Sequence, residues 1–549
     1  MKLPFGENYN ALYRDFSWQM PQTFNIGHAV SDAWAIREPD RVCLEHFNPA
    51  GNHASMTYGE LAARSAAFAN ALTALGIKPG DRVALLLPQS FETVIAHAAI
   101  YKMGAIALPL ALLFGGEALE YRLKVAGAVA VVTNAFGLLR IKPIRAKLPD
   151  LVQVISIDGA EAGVEDFTTL VAGHSSEFPI VNTGPDDPAL MIFTSGTTGP
   201  PKGALHGHRV LLGHIPGMQF AHEGFPQSGD KVWTPSDWAW AGGLLNALLP
   251  SLFLGVPVVS SPAQKFDAHM AFRIMTEMKV RNAFIPPTAL RLLKSVDNPL
   301  ASYDLQLRTI GSAGEALGRE TFEWARSTLG VTVNEFYGQT ECNFVISSSA
   351  AFGVSRGDAT GKAVPGHRVA IVDGTGTELP AGETGQIAIH RPDPVMFLGY
   401  WRDAPATDQK FAGDWLLTGD LGWQDAEGYI TFVGRDDDVI TSSGYRIGPS
   451  EIEDCLTGHP AVQLAAAVGK PDPVRTEIVK AYVVLVPDQQ PSEALAGEIR
   501  DWVKTRLSMH EYPREIEFVA ALPLTTSGKV IRRLLRDHAA AEAAGTIFP

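Results

Sequence analysis

Thr194-Ser195-Gly196-Thr197-Thr198-Gly199-Pro200-Pro201-Lys202-Gly203 follows directly on an apolar run at residues 189–193, and how this stretch is read decides the fold. A buried strand that opens into such a loop suits an anion. Glycines let backbone N–H groups approach a phosphate, the hydroxyls of Thr194, Ser195, Thr197 and Thr198 add donors, and Lys202 supplies a mobile positive charge. A plain Gly/Ser/Thr linker does not usually follow a buried strand and end in Pro-Lys-Gly. Nor is this a Walker A loop, which needs Gly-Lys-Ser/Thr. Lys202 stands between Pro201 and Gly203, so kinases and ATPases of that class are disfavoured.

Upstream, short β-branched or aliphatic runs at residues 83–87, 105–110 and 128–132 alternate with helical patterns at 92–103 and 117–125. That alternation predicts βαβ units and a parallel sheet. Thr57 and Glu60 form a capping box ahead of a helix that puts Leu61, Ser65, Phe68, Leu72 and Leu75 on one face and is stopped by Gly76 and Pro79. Beyond Gly434-Arg435-Asp436-Asp437-Asp438 the spacing changes, and a strand at 480–486 and a helix at 495–507 predict a small α+β unit. The 549 residues exceed the roughly 250 to 300 at which a single core stops growing. At least two domains are expected.

Hydrophobic residues make up 46% and charged ones 19%, the balance of a soluble globular enzyme rather than of a disordered chain. A formal charge of −14, with no Lys/Arg run longer than Arg532-Arg533, argues against a nucleic-acid partner. Cys43, Cys342 and Cys455 lie far apart without CxxC spacing, so neither a disulfide framework nor a zinc site is indicated, and a reducing cytoplasm is the simplest setting. The first residues lack the apolar core of a secretory signal. Residues 243–259 are the most apolar stretch, yet Asn246, Pro250 and Pro257 interrupt it, and a spanning helix wants about 20 apolar residues. A buried helix followed by a buried strand is expected there, with no membrane span.

Further motifs follow in order: Gly314-Glu315-Ala316, Glu335-Phe336-Tyr337-Gly338-Gln339-Thr340-Glu341, Thr418-Gly419-Asp420, Arg435, Ser442-Ser443-Gly444-Tyr445-Arg446-Ile447-Gly448-Pro449, and Leu524-Thr525-Thr526-Ser527-Gly528-Lys529. With the 194–203 loop, this ordered set resembles the adenylate-forming superfamily of acyl-CoA synthetases, luciferases and peptide-synthetase adenylation domains, over nearly the whole chain. Segments 434–449, 459–462, 471–475 and 513–518 resemble its medium-chain acyl-CoA synthetase branch. The resemblance implies an α/β fold with a large N-terminal domain of stacked mixed sheets and flanking helices at 1–435. A small, mobile α+β domain would occupy 436–549. It also implies a ligase that uses ATP, Mg²⁺ and coenzyme A to turn a carboxylic acid into its acyl-CoA through an acyl-adenylate.

The same resemblance assigns roles. The loop of Thr194, Ser195, Gly196, Thr197, Thr198, Gly199 and Lys202 would hold pyrophosphate. Gly314, Glu315 and Ala316 would contact adenine, on which Tyr337 stacks, with Glu335, Phe336, Gly338 and Gln339 completing that nucleotide motif. Thr340 would touch the α-phosphate, Glu341 would hold Mg²⁺, and Asp420 and Arg435 would bind the ribose. Lys529 would bridge the carboxylate and α-phosphate in the transition state, with Arg446 in the same catalytic set. Rotation about a hinge at Asp437 would then bring Ser443, Gly444 and Tyr445 to the pantetheine chain, and Arg475 and Lys504 to the CoA phosphates.

Trp240 and Gly338 would line the acyl pocket. Acetate-specific relatives carry Trp where this chain has Gly338, so an open cavity for a short-to-medium, branched or aromatic acid is expected. Ala239 replaces the glycine of the family's Asp-x-Gly-Trp pattern. An aryl-CoA ligase on the same fold is the near alternative, and a luciferase-like oxidation another. A non-catalytic acyl- or nucleotide-binding regulator is the reading from a different class. The intact set of Lys202, Glu341, Asp420, Arg435 and Lys529 argues against it. A homo-oligomer is compatible with any of these.

Overall fold

Arg82–Leu86 runs parallel to Ile106–Pro109 on one side and to Ala130–Thr133 on the other, as the alternation upstream of the loop predicts. These strands belong to an eight-stranded sheet that Pro188–Phe193 and Gly203–Gly207 extend at one side. The structure, a computed structural model, describes residues 3, 8–194, 200–261, 266–435, 438–442, 445–473, 475–507, 511–525 and 529–544. Among the described residues there are three further sheets, of nine, five and five strands.

The helix Phe91–Lys102 connects two parallel strands. Ser90 caps it by accepting the Thr93 N–H, and Val94, Ile95, Ala96, Ala98, Ala99 and Ile100 are all buried, as expected of a helix that is apolar all round. Tyr58–Ala74 starts at the predicted capping box. Thr57 Oγ1 accepts the Glu60 N–H at 3.2 Å and the Glu60 carboxylate accepts the Thr57 N–H at 2.8 Å, a device that contributes about 1 kcal/mol. Residues 243–259 fold as expected into a buried helical run, Leu244–Leu248 and Leu249–Phe253, followed by the strand Val258–Ser260. No helix among the described residues is long and apolar enough to cross a membrane.

These helices lie between two sheets. One continuous core joins Val83, Leu85 and Ala107 of the eight-stranded sheet to Leu44 and Val258 of the nine-stranded one through Leu61, Phe68, Leu72, Ile95, Leu245 and Leu248. In the nine-stranded sheet Val333–Gln339, Thr309–Ser312, Asn282–Phe284 and Val232–Trp233 pair in parallel. A third, antiparallel sheet contains Thr384–His390, Trp415–Gln424 and Ile430–Arg435.

The last sheet, built from Ile440–Ser442, Tyr445–Ile447, Val462–Asp472, Thr476–Leu485 and Glu515–Phe518, has its own core of Ile440, Ile452, Ala467, Val479, Val483, Ile499 and Val503. It touches the larger part at Asp454, which accepts the Arg319 N–H at 3.0 Å. Gly318 next to it sits at φ +80°, and a Cβ there would fall 1.9 Å from Asp454 Oδ1. Both the backbone conformation and the space demand glycine.

Candidate active site

The parallel strands of the nine-stranded sheet send their carboxyl ends to one edge. The chain leaving those ends carries the motifs: Trp240 follows Val232–Trp233, the helix Pro287–Leu293 follows Asn282–Phe284, Gly314 to Ala316 follow Thr309–Ser312, and Thr340 and Glu341 follow Val333–Gln339. Open α/β sheets bind ligands in the crevice outside such ends. The Gly/Ser/Thr loop joins Pro188–Phe193 to its antiparallel partner Gly203–Gly207, and the Thr194 N–H donates to the Lys202 carbonyl at 2.9 Å across its base. Ser195, Gly196, Thr197, Thr198 and Gly199 lie outside the described residues, as do Asp437, Ser443 and Gly444. The side chains of Tyr445 and Arg446 likewise lie outside what is described.

Asp420 is the most deeply set charge of the group, 6% exposed. Tyr337 donates its hydroxyl to Asp420 Oδ2 at 2.6 Å, Gln339 donates its amide to the same oxygen at 2.6 Å, and Arg435 is its cross-strand partner. Burial pushes the Asp420 pKa above the usual carboxylate value, while the Tyr337 hydroxyl and then the charge of Arg435 pull it back.

Gly314 turns the chain at φ +103°, and Lys529 reaches it from the C-terminal part. A Cβ on Gly314 would lie 3.3 Å from Lys529 Cε and 3.7 Å from Nζ. Lys529 is exposed as a residue, while desolvation of its ammonium lowers its pKa against the attraction of Glu315 and Asp420. Glu315 itself is tied to the helix below by Thr288 at 2.8 Å and Arg291 at 3.2 Å.

Lys202 stands 5.2 Å over the Tyr400 ring, and the Tyr400 hydroxyl donates to Glu341 Oε1. Tyr400 carried no signal in the sequence. The edge strand Gly399–Tyr400 brings it here by pairing with Gly203–Gly207. Arg291 was equally silent, since only the parallel register of Asn282–Phe284 with Thr309–Ser312 sets it beside Glu315.

Two expectations need correction. Phe336 does not face the crevice. It is 2% exposed and stacks on Phe344 with ring centroids 3.9 Å apart, because alternation along the strand turns it to the core. Gly338 keeps part of its surface open, but the room expected there for substrate is not left in its side-chain direction. It lies in an irregularity of the Val333–Gln339 pairing, and a Cβ there would meet Phe344 N at 2.3 Å and Asn343 Cα at 2.7 Å. Glycine is present because backbone fills the place of a side chain.

Glu335 reaches the chain just beyond Gly314–Ala316, accepting the Leu317 N–H at 3.3 Å. Trp240 packs edge-on against Phe114 at 5.7 Å. Ala239 fits its turn without a left-handed backbone, its N–H held by Asp237 Oδ1 at 2.9 Å. Lys504 lies exposed, 5.5 Å over the Tyr512 ring, and the Arg475 N–H donates to Asp472. Neither has a described contact with the crevice residues.

The AMP-binding enzyme family matches residues 31–401, and the AMP-binding enzyme C-terminal domain matches residues 451–529. The chain belongs to this adenylate-forming family. Within it the chain is an AMP-forming acid–CoA ligase, an acyl-CoA synthetase. It is 34% identical over 533 residues to the human "Acyl-coenzyme A synthetase ACSM2B, mitochondrial", covering 94% of this chain and 91% of that one. It is 34% identical over 522 residues to the "Uncharacterized acyl--CoA ligase YtcI" of Bacillus subtilis (strain 168), covering 94% and 96%. Among solved structures it resembles the anthranilate CoA ligase AuaEII in complex with anthranoyl-AMP, with a TM-score of 0.88 at 29% identity over 96% of this chain and 99% of that one.

Desolvation raises the Glu335 pKa from 4.5 to about 7. The native state therefore holds this proton to higher pH than the unfolded chain, and the stability it contributes is full below pH 4.5 and lost as pH rises through about 7. Glu335→Gln is expected to gain stability over the wild type on going from about pH 5 to about pH 8. Thermal midpoints at both values check it, and a constant difference would mean that Glu335 is ionised in the folded protein. Gly338→Ala is expected to lower the thermal midpoint, by forcing the Asn343–Phe344 backbone aside, rather than to narrow the range of acids accepted. A stable variant with a shortened chain-length profile would restore Gly338 as pocket floor.

Proposed function

We propose that this synthetase activates a short-to-medium, branched or aromatic carboxylic acid in the crevice at the strand ends, and that the site residues act as follows. Lys529 carries the reading, because its ammonium end approaches Gly314 and interacts with Asp420 and Glu315 across the crevice. In the first step a substrate carboxylate oxygen bonds to the α-phosphorus of ATP and the bond to the bridging oxygen of pyrophosphate breaks. No protein nucleophile is needed, so the chain contributes position and charge. A polyphosphate beside Lys529 offsets the desolvation that depresses its pKa, so the ammonium is fully charged when it is needed.

Asp420, kept ionised by Tyr337, Gln339 and Arg435, accepts from the ribose hydroxyls. Lys202 and the loop it closes hold pyrophosphate. Glu341 suits Mg²⁺, since Tyr400 occupies Oε1 and the second carboxylate oxygen is left for a hard cation. The ion, when bound, offsets phosphate charge. Arg446 joins Lys529 in the catalytic set.

In the second step the CoA thiol attacks the acyl carbon and AMP leaves. Lys529 stands where the thiol must come, so residues 436–549 rotate about Asp437 as a second domain. The separate core of the C-terminal sheet and its polar contact at Asp454 support such a movement. Ser443, Gly444 and Tyr445 then flank the pantetheine, with Arg475 and Lys504 toward the phosphates. The reaction is assigned to the cytoplasm, where Cys43, Cys342 and Cys455 persist as the free thiols they are. An aryl acid is favoured by the aromatic surroundings of Trp240, which include Phe114 and Phe284 beside Gly242.

Pyrophosphate release with ATP and Mg²⁺, measured across aliphatic and aromatic acids with and without CoA, tests the whole assignment. CoA-dependent acyl-CoA formation is expected, and ATP binding without pyrophosphate release from any acid would mean a binding protein. Lys529→Ala should lower adenylation by about a hundred- to a thousand-fold while thiolation of a supplied acyl-adenylate proceeds. Equal losses in both half-reactions would refute that division of labour.

A further inference from the structure

His214, on the helix Val210–Ala221, is fully buried, with Nδ1 2.7 Å from the Val210 carbonyl. A carbonyl only accepts, so Nδ1 carries the ring proton and Nε2 is left as an acceptor. Burial, which pulls the pKa down to about 4, keeps the ring neutral. Asn343 Nδ2 lies 2.9 Å from that Nε2 and 2.7 Å from Asn246 Oδ1. Both N–H bonds of the Asn343 amide are thus engaged, and the orientation of the two amides follows. Asn343 keeps Oδ1, an acceptor, and Asn246 keeps Nδ2, a donor. Neither atom has a hydrogen-bond partner among the described residues, although the two side chains are only 7% and 2% exposed. Neither is among the fully enclosed polar atoms that lack a partner, so each keeps accessible surface, and a donor and an acceptor left open on two nearly buried, mutually bonded side chains point to a ligand.

Their place in the chain says which ligand. Asn343 follows Thr340 and Glu341 into the strand Cys342–Ser347, and its backbone lies against Gly338. Asn246 stands on the helical run that begins at Trp240, whose carbonyl accepts the Leu244 N–H at 2.9 Å. The chain thus ties one amide to the reacting end at Thr340 and Glu341 and the other to the helical run that starts at the aromatic Trp240. None of the adenylation chemistry uses them.

We propose that Asn343 and Asn246 form the far wall of the acyl pocket and that the acid activated by this ligase carries a hydroxyl group, which donates to Asn343 Oδ1 and accepts from Asn246 Nδ2. A hydroxyl both donates and accepts through one atom. A methyl terminus would leave both amides unpaired, and a carbonyl would leave Asn343 Oδ1 facing another acceptor. The assignment rests on the ligase reading above.

The test compares kcat/KM for acyl-CoA formation with matched acids: benzoate against meta- and para-hydroxybenzoate, and straight-chain acids against their ω-hydroxy counterparts. Wild-type enzyme is expected to favour a hydroxylated member by about tenfold or more, since a site built to bond a hydroxyl rejects the analogue without it. Asn343→Leu is expected to bring that ratio to about one, and Asn246→Leu gives the same readout from the other amide should the first variant fold poorly. Equal use of both members of every pair by the wild type would overturn the proposal, as would a variant that loses both members in proportion. Absence of pyrophosphate release with every acid would instead remove the ligase reading, and the hydroxyl site with it.

Discussion

A carboxylate as deeply set as Asp420 is tolerated only where donors surround it. Those donors, Tyr337 and Gln339, belong to the nine-stranded sheet, whereas Asp420 belongs to the antiparallel sheet. The contacts that satisfy the charge therefore also hold one sheet against the other. They set the height at which Thr340 and Glu341 leave their strand, and with it the geometry of everything built at that edge. Asp420 also reaches outward, since the charges of Arg435 and Lys529 both act on it. One buried charge links the strand that carries the nucleotide motif, the strand that ends in Arg435 and the lysine of the C-terminal part.

A second linkage runs through Tyr400. Its ring lies under Lys202 while its hydroxyl holds Glu341, so the cation that closes the phosphate loop and the carboxylate suited to a metal share one aromatic support. A flexible lysine and a flexible glutamate would otherwise lose side-chain entropy independently on binding a common ligand. Holding both in advance from one rigid residue lowers that cost and fixes the two charges relative to each other, as the proposed roles require.

The glycines mark where backbone comes closest to something else. Gly314 admits Lys529, Gly318 admits Asp454, and Gly338 admits the returning strand at Asn343 and Phe344. At the first two, positive φ adds a conformational reason. Gly338 is different, for its backbone is ordinary and only proximity excludes a side chain. A glycine in a motif thus reads equally well as room for substrate or as room for the protein itself.

Local pattern carried much of the fold. The capping box at Thr57 and Glu60, the parallel alternation from Arg82 to Thr133 and the buried run through Leu244–Phe253 are all set by interactions within a few residues or by strand periodicity, which sequence displays directly. Several of the ordered motifs point to the crevice for a similar reason: residues 194–203, 314–316 and 340–341 leave the carboxyl ends of strands. What sequence could not display was which strand lies beside which. The pairing of Gly399–Tyr400 with Gly203–Gly207 put Tyr400 under Lys202, and the return of Cys342–Ser347 along Val333–Gln339 filled the space at Gly338. Sequence by itself determined the class of chemistry, because phosphate-binding loops and a reaching lysine are local features. Only the tertiary structure decided the partners of Asp420, the burial of Phe336 and the meeting of His214, Asn246 and Asn343, because those depend on register between segments far apart in the chain.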